Sequence, residues 1–173
     1  MNCILLSPHA DDEALFASYT ILRLKPIVII VTDYDGGKLG ITAEQRRQES
    51  ISAMEILGTR VTFLGIPESK LTEKTLHEEL GFCDDSIIFC PAIQGGHKHH
   101  DLVARYCLTN MKNVICYATY TKDRLSPDGN VEIIPTREEM SLKNSALDCY
   151  KSQFPWNQAH FDAVRDRSEF YVT

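Results

Sequence analysis

Apolar, β-branched runs recur along the chain at 2–6, 27–32, 60–64, 86–90 and 114–120. Between them, the longer segments 11–24, 43–57, 72–80 and 100–111 return apolar residues at helical period. A short run without a polar face reads as a strand covered on both sides, and a period near 3.6 reads as a helix with one face on a core. Their alternation predicts βα units: an α/β fold with a mainly parallel sheet flanked by helices. Thr42-Ala43-Glu44-Gln45 and Thr136-Arg137-Glu138-Glu139 have the capping-box form, and Gly58 marks a helix stop. After Tyr120 the alternation weakens to a turn at 126–130, a strand at 131–134 and a helix from Arg137 to about Ser152. The residues beyond carry no clear period. No linker, repeat or low-complexity tract interrupts the pattern, so residues 1–173 are expected to form a single domain.

Composition narrows the function classes. Eighteen Lys and Arg against 24 Asp and Glu leave a net charge of −6, which offers no attractive field to a nucleic-acid backbone or an anionic membrane. Nucleic-acid binding is therefore not expected. The six cysteines include no Cys-x-x-Cys pair and fall mostly in apolar stretches, as reduced core residues of a cytoplasmic protein do. No basic segment precedes the first apolar run, and no run approaches the roughly 18 residues of a membrane span. Neither a signal peptide nor a span is expected.

The chemistry gathers at two strand ends, where ligands bind in open parallel sheets. Ser7-Pro8-His9-Ala10-Asp11-Asp12-Glu13 places three carboxylates and an imidazole at the turn after the first strand. Helix capping explains the acids but not His9. After the fourth strand comes Gly95-Gly96-His97-Lys98-His99-His100-Asp101, in which His97 and His100 stand one helical turn apart. A polar loop is the plain reading of that cluster taken alone. If strands one and four are neighbours, His9, Asp12 and His100 converge as a three-ligand site that leaves one zinc position open for water. Asp11 would stand beside that water as a general base.

These residues carry a resemblance. Pro8-His9-Ala10-Asp11-Asp12-Glu13 resembles the Pro-His-Pro-Asp-Asp-Glu motif of the LmbE/PIG-L family of metal-dependent N-deacetylases, and Gly96-His97-Lys98-His99-His100 resembles that family's Gly-His-Pro-Asp-His. Arg46 and Glu49 fall on its Arg-x-x-Glu helix ending in Leu57-Gly58, and Lys143, Ala146, Leu147, Ser152 and Gln153 on its late Ser-Gln segment. The resemblance implies a Rossmann-like fold and hydrolysis of the N-acetyl group of an amino sugar or glycoside. It implies His9, Asp12 and His100 as ligands of one Zn2+, with Fe2+ or another divalent ion as the alternative. It also implies Asp11 as base, His97 as the group that stabilises the oxyanion, and Arg46 as a substrate contact oriented by Glu49.

Two departures stand out. Ala10 replaces a proline, and His99 replaces the aspartate that pairs with the oxyanion histidine, leaving Asp101 as the nearest substitute acid. Asp33 and Asp35 are expected in a solvated turn, His77 and His160 at the surface, and Trp156 as a core anchor. The rival readings are a metal phosphoesterase, which needs a second carboxylate set from Asp11, Asp33 or Asp35, and a non-catalytic sugar- or metal-binding protein. The chain is short for this family, so the carboxyl-terminal part that shapes the pocket is expected to be either reduced or borrowed from a neighbouring subunit of a homo-oligomer.

Overall fold

The computed structural model describes residues 2–36, 40–80 and 86–173. Five parallel strands form the body of the sheet: β1 (Cys3–Ser7), β2 (Ile27–Asp33), β3 (Val61–Pro67), β4 (Ile87–Pro91) and β5 (Val114–Tyr117). β6 (Val131–Ile133) and β7 (Glu169–Val172) extend it antiparallel, in the order β3-β2-β1-β4-β5-β7-β6. β1 and β4 are neighbours, with Cys3 opposite Ile87 and Leu5 opposite Phe89. Their carboxyl ends therefore open side by side.

Strand residues alternate between two layers because successive side chains leave a sheet on opposite faces. Leu5, Val28, Ile30 and Phe89 pack with α1 (Asp12–Phe16), α2 (Ser18–Leu24), α3 (Ala43–Leu57), α6 (Arg137–Leu147) and α7 (Phe154–Val164). Leu6, Val31, Ile88 and Cys90 pack with α4 (Glu73–Leu80) and α5 (Lys98–Asn110). Gly58 ends α3 with φ 71°, and the box at Thr136 and Glu139 closes in both directions. Among the described residues, no helix is long and apolar enough to cross a membrane. Cys90 and Cys116 are free, with sulfurs 3.9 Å apart on adjacent strands; Cys83 lies outside the described residues.

Several expected elements change their bounds, four of them for a visible reason. The helix expected over 11–24 breaks at Ala17, because the buried Glu169 carboxylate captures the Tyr19 amide at 2.9 Å. The helix after Thr136 stops at Leu147, because Glu49 on α3 accepts both the amide (2.8 Å) and the hydroxyl (2.6 Å) of Ser152 and holds the chain in a turn. α5 starts at Lys98, two residues early, with His97 as its cap. β5 ends at Tyr117, freeing Thr119 and Tyr120 to turn toward the site. The unreadable end is α7 and β7; Glu169 sits in that strand, 1% exposed and paired with equally buried Lys143 at 2.9 Å.

Candidate active site

The loop after β1 is pinned from two sides. Thr32 at the end of β2 donates its amide (3.0 Å) and hydroxyl (2.7 Å) to the Pro8 carbonyl. Glu13 receives the hydroxyls of Ser7 (2.8 Å), Ser50 (2.8 Å) and Tyr150 (2.6 Å) and the Asp11 amide (3.1 Å). Asp11 itself has φ 150°, a sparsely populated conformation for a side-chain-bearing residue, which persists because these bonds over-determine it. Of the three consecutive acids, Glu13 is thus the scaffold. Neither capping nor catalysis needs it.

The expected ligand set converges. His9 Nδ1 lies 2.9 Å and His100 Nε2 3.0 Å from one oxygen of Asp12, and the donor atoms of all three residues lie within 4.8 Å of one another. His100 Nε2 is buried, and among the described residues its polar contact is this ion-pair approach to Asp12. On the far side of the ring, Nδ1 lies 3.3 Å from the Thr119 hydroxyl. Burial would raise the Asp12 carboxyl, but His100 and His9 together hold it well below the usual range. Burial pushes His9 down to about 4, against the pull of Asp12, so its imidazole is neutral at pH 7. Two imidazole nitrogens and one carboxylate oxygen around a common point, the His100 nitrogen buried without a hydrogen bond, fit a divalent cation with an open position.

Around that point the expected catalytic residues take distinct places. Asp11 accepts from Arg46 Nη2 at 2.9 Å, while the same nitrogen holds the Ala10 carbonyl at 2.6 Å. Burial raises the Asp11 carboxyl well above the ordinary aspartate range despite Arg46. His97 Nδ1 accepts from the His99 amide at 3.3 Å, which leaves its ring proton on Nε2. Among the described residues, no acid pairs with His97. The expectation for Asp101 fails, because its carboxylate ties the glycine loop by accepting from the Gln94 and Gly95 amides, both at 3.1 Å. Gly96 is required there, since a Cβ would meet the Tyr120 carbonyl oxygen at 2.0 Å.

A cleft of about 430 Å³ opens over His9, Asp11, Asp12, Arg46 and His97. Its outer wall is formed by Tyr34, Glu68, Tyr120, Gln153, Trp156 and His160. Two expectations are corrected here. Trp156 is no core anchor, being 58% exposed, and His160 packs edge-on against Tyr120 at 4.8 Å inside the cleft. Both sit on α7, whose residues show no clear helical period, so nothing in their spacing aims them. Asp33 is held by Arg47 and Asp35 by Ser69, and neither lines the cleft.

The sequence model of the GlcNAc-PI de-N-acetylase family, PIG-L, matches residues 4–111. The chain belongs to the PIG-L family. The matched stretch includes both strand-end clusters and Arg46. Among solved structures, a deacetylase of teicoplanin biosynthesis is similar at TM-score 0.66 and 14% identity, covering 94% of this chain and 90% of that one. The A40926 pseudoaglycone deacetylase Dbv21 is similar at 0.65 and 16%, covering 91% and 84%. GalB, the 4-carboxy-2-hydroxymuconate hydratase of Pseudomonas putida KT2440, reaches 0.64 at 13%, covering 99% and 95%. No curated protein matches the chain. At such identities these likenesses speak for the fold, and a hydratase among them shows that the PIG-L fold hosts more than one chemistry.

Proposed function

We propose that this PIG-L protein is a divalent-metal-dependent hydrolase, zinc being the first choice, that removes the N-acetyl group of an amino sugar or related small glycoside. The observation that carries the reading is the convergence of His9, Asp12 and buried His100 on one point, with His9, Asp11, Asp12 and His97 lining one cleft above it. A divalent cation held by the three ligands supplies Lewis-acid polarisation of the amide carbonyl and a more acidic water.

The chain's own residues account for the proton and charge movements. Asp11, raised toward the working pH and aimed by Arg46, takes a proton as water adds to the carbonyl carbon. Negative charge then develops on the carbonyl oxygen. His97 meets it with Nε2–H, which a neutral imidazole carries in this tautomer, so no carboxylate partner is needed for that role. The C–N bond breaks as Asp11 returns its proton to the departing nitrogen, leaving acetate and an amine. Arg46 lines the cleft beside Asp11, which supports the substrate contact expected of it.

The phosphoesterase reading is not favoured, because Asp33 and Asp35 are committed elsewhere and Asp11 to Arg46. The single sheet containing both the first and the last strand supports residues 1–173 as one domain. The free cysteines support a reducing, cytoplasmic setting. The deciding experiment measures acetate released from a panel of N-acetyl sugars and glycosides by metal-stripped protein, with and without added zinc. Acetate appearing only with a divalent ion is expected. Binding without release would favour the non-catalytic alternative, and release unaffected by chelator would remove the metal from the reading.

Trp156 gives a separate test of the substrate class. An exposed indole on the cleft wall presents a flat apolar face suited to a sugar ring, and its loss should weaken binding without touching the reacting groups. Trp156→Ala is expected to raise KM by about 3–10-fold, roughly 0.7–1.4 kcal/mol, with kcat nearly unchanged. An unchanged KM for every accepted substrate would take the indole out of the recognition surface.

A further inference from the structure

His99 stands where the family resemblance leads one to expect an aspartate bonded to His97; its ring packs edge-on against His97 with centroids 4.8 Å apart, yet its side-chain hydrogen bond goes to another residue. His99 Nδ1 lies 2.9 Å from His9 Nε2, and the residue is 7% exposed. The only bond between His99 and His97 among the described residues runs from the His99 backbone amide. The side chain at 99 has therefore changed partner from the oxyanion histidine to a metal-ligating one.

Hydrogen bonding fixes what this contact can be. Two neutral imidazole nitrogens 2.9 Å apart need one proton between them, donated by one and accepted by the other. In the metal-free protein, His9 Nδ1 faces the Asp12 carboxylate, which can only accept, so His9 carries its proton on Nδ1. His9 Nε2 is then an acceptor, and His99 donates from Nδ1. A cation at the site needs the lone pair of His9 Nδ1. The proton of His9 must then reside on Nε2, His9 becomes the donor, and His99 must accept.

We propose that His99 is a positioning residue that fixes the metal-binding tautomer of His9, and that it reverses its own tautomer from Nδ1–H to Nε2–H when the cation binds. The inference rests on the ligand assignment above and goes beyond it. Outer partners of ligating histidines usually accept the remote N–H and raise ligand basicity, and their loss costs about 10–100-fold in metal affinity. Carboxylates and carbonyls are the common acceptors; here a second imidazole, which can donate as well as accept, serves both the empty and the filled site.

The test measures zinc affinity by competition with a chelator, together with long-range 1H–15N spectra of the histidine rings. His99→Leu should bind zinc about 10–100-fold more weakly than wild type. His99→Asn, whose amide oxygen stands where Nδ1 stood and accepts in the same direction, should recover most of that loss. In wild type, zinc should move the His99 proton from Nδ1 to Nε2 with no direct zinc signature on His99. Equal losses in the Leu and Asn variants would reduce His99 to packing and overturn the proposal. So would an unmoved His99 tautomer, or a second zinc bound by wild type and lost in His99→Asn, which would make His99 a ligand with His9 and His97. A wild type that binds no divalent ion would overturn the ligand assignment itself, an outcome separate from any difference between variants.

Discussion

Asp11→Asn should retain the bound cation and lower kcat by about 10²–10⁴, the range for removal of a positioned general base. Asparagine keeps the shape of the side chain and can still accept from Arg46 through its amide oxygen, so the strained turn should survive. What it lacks is a lone pair basic enough to take the water's proton. The pH profile supplies the second readout. A base whose conjugate acid is raised must be deprotonated to work, so wild-type activity should fall on the acid side at a pH above the ordinary aspartate range. That limb should vanish from the residual activity of Asp11→Asn. Loss of the cation in this variant would exchange the roles of the two adjacent aspartates, and undiminished turnover would remove Asp11 from the proton path.

The parts of this site that were legible in the sequence are those fixed by short-range spacing at strand ends. Cys3–Ser7 and Ile87–Pro91 read as buried strands from their apolar runs, and neighbouring parallel strands bring the segments that follow them to one edge. The convergence of His9, Asp12 and His100 follows from that placement alone. What stayed hidden depends on contacts distant in sequence. Ala17 breaks a helix because Glu169 reaches its neighbour, and Glu49 stops another helix by taking Ser152; neither carboxylate announces its partner. Trp156 and His160 reach the cleft only because α7 follows that turn.

Position 99 is the instructive case, because the residue there is plain in the motif while its hydrogen-bond partner is not. A histidine in place of an aspartate suggested a weakened His97 in need of another acid. The fold answers differently: the His99 amide, a group every residue but proline has, sets the His97 tautomer, and the side chain is released to His9. Residue identity at a motif position constrains which bonds can form, while the helix cap at His97 decides where the side chain points.

The three consecutive acids should separate cleanly when each is removed in turn, and Asp12 carries the largest consequence. Asp12 is the common neighbour of both ligating rings, so Asp12→Ala should drop metal content from about one ion per chain to background after gel filtration, and activity with it. A chelator should lower the Tm of wild type and leave that of Asp12→Ala unmoved, because only a state that binds the ion is stabilised by it. Glu13→Ala should behave in the opposite manner. It removes the shared acceptor of three buried hydroxyls and the Asp11 amide, of which only Ser7 keeps a good alternative in the His9 carbonyl at 2.7 Å, a cost of about 3 kcal/mol and a Tm fall of roughly 6–12 °C for a chain of this size. At temperatures where Glu13→Ala remains folded it should still bind the ion. Full metal content in Asp12→Ala would show that the buried pair His9 and His100 recruits a different third ligand, and the assignment of this carboxylate would then be wrong.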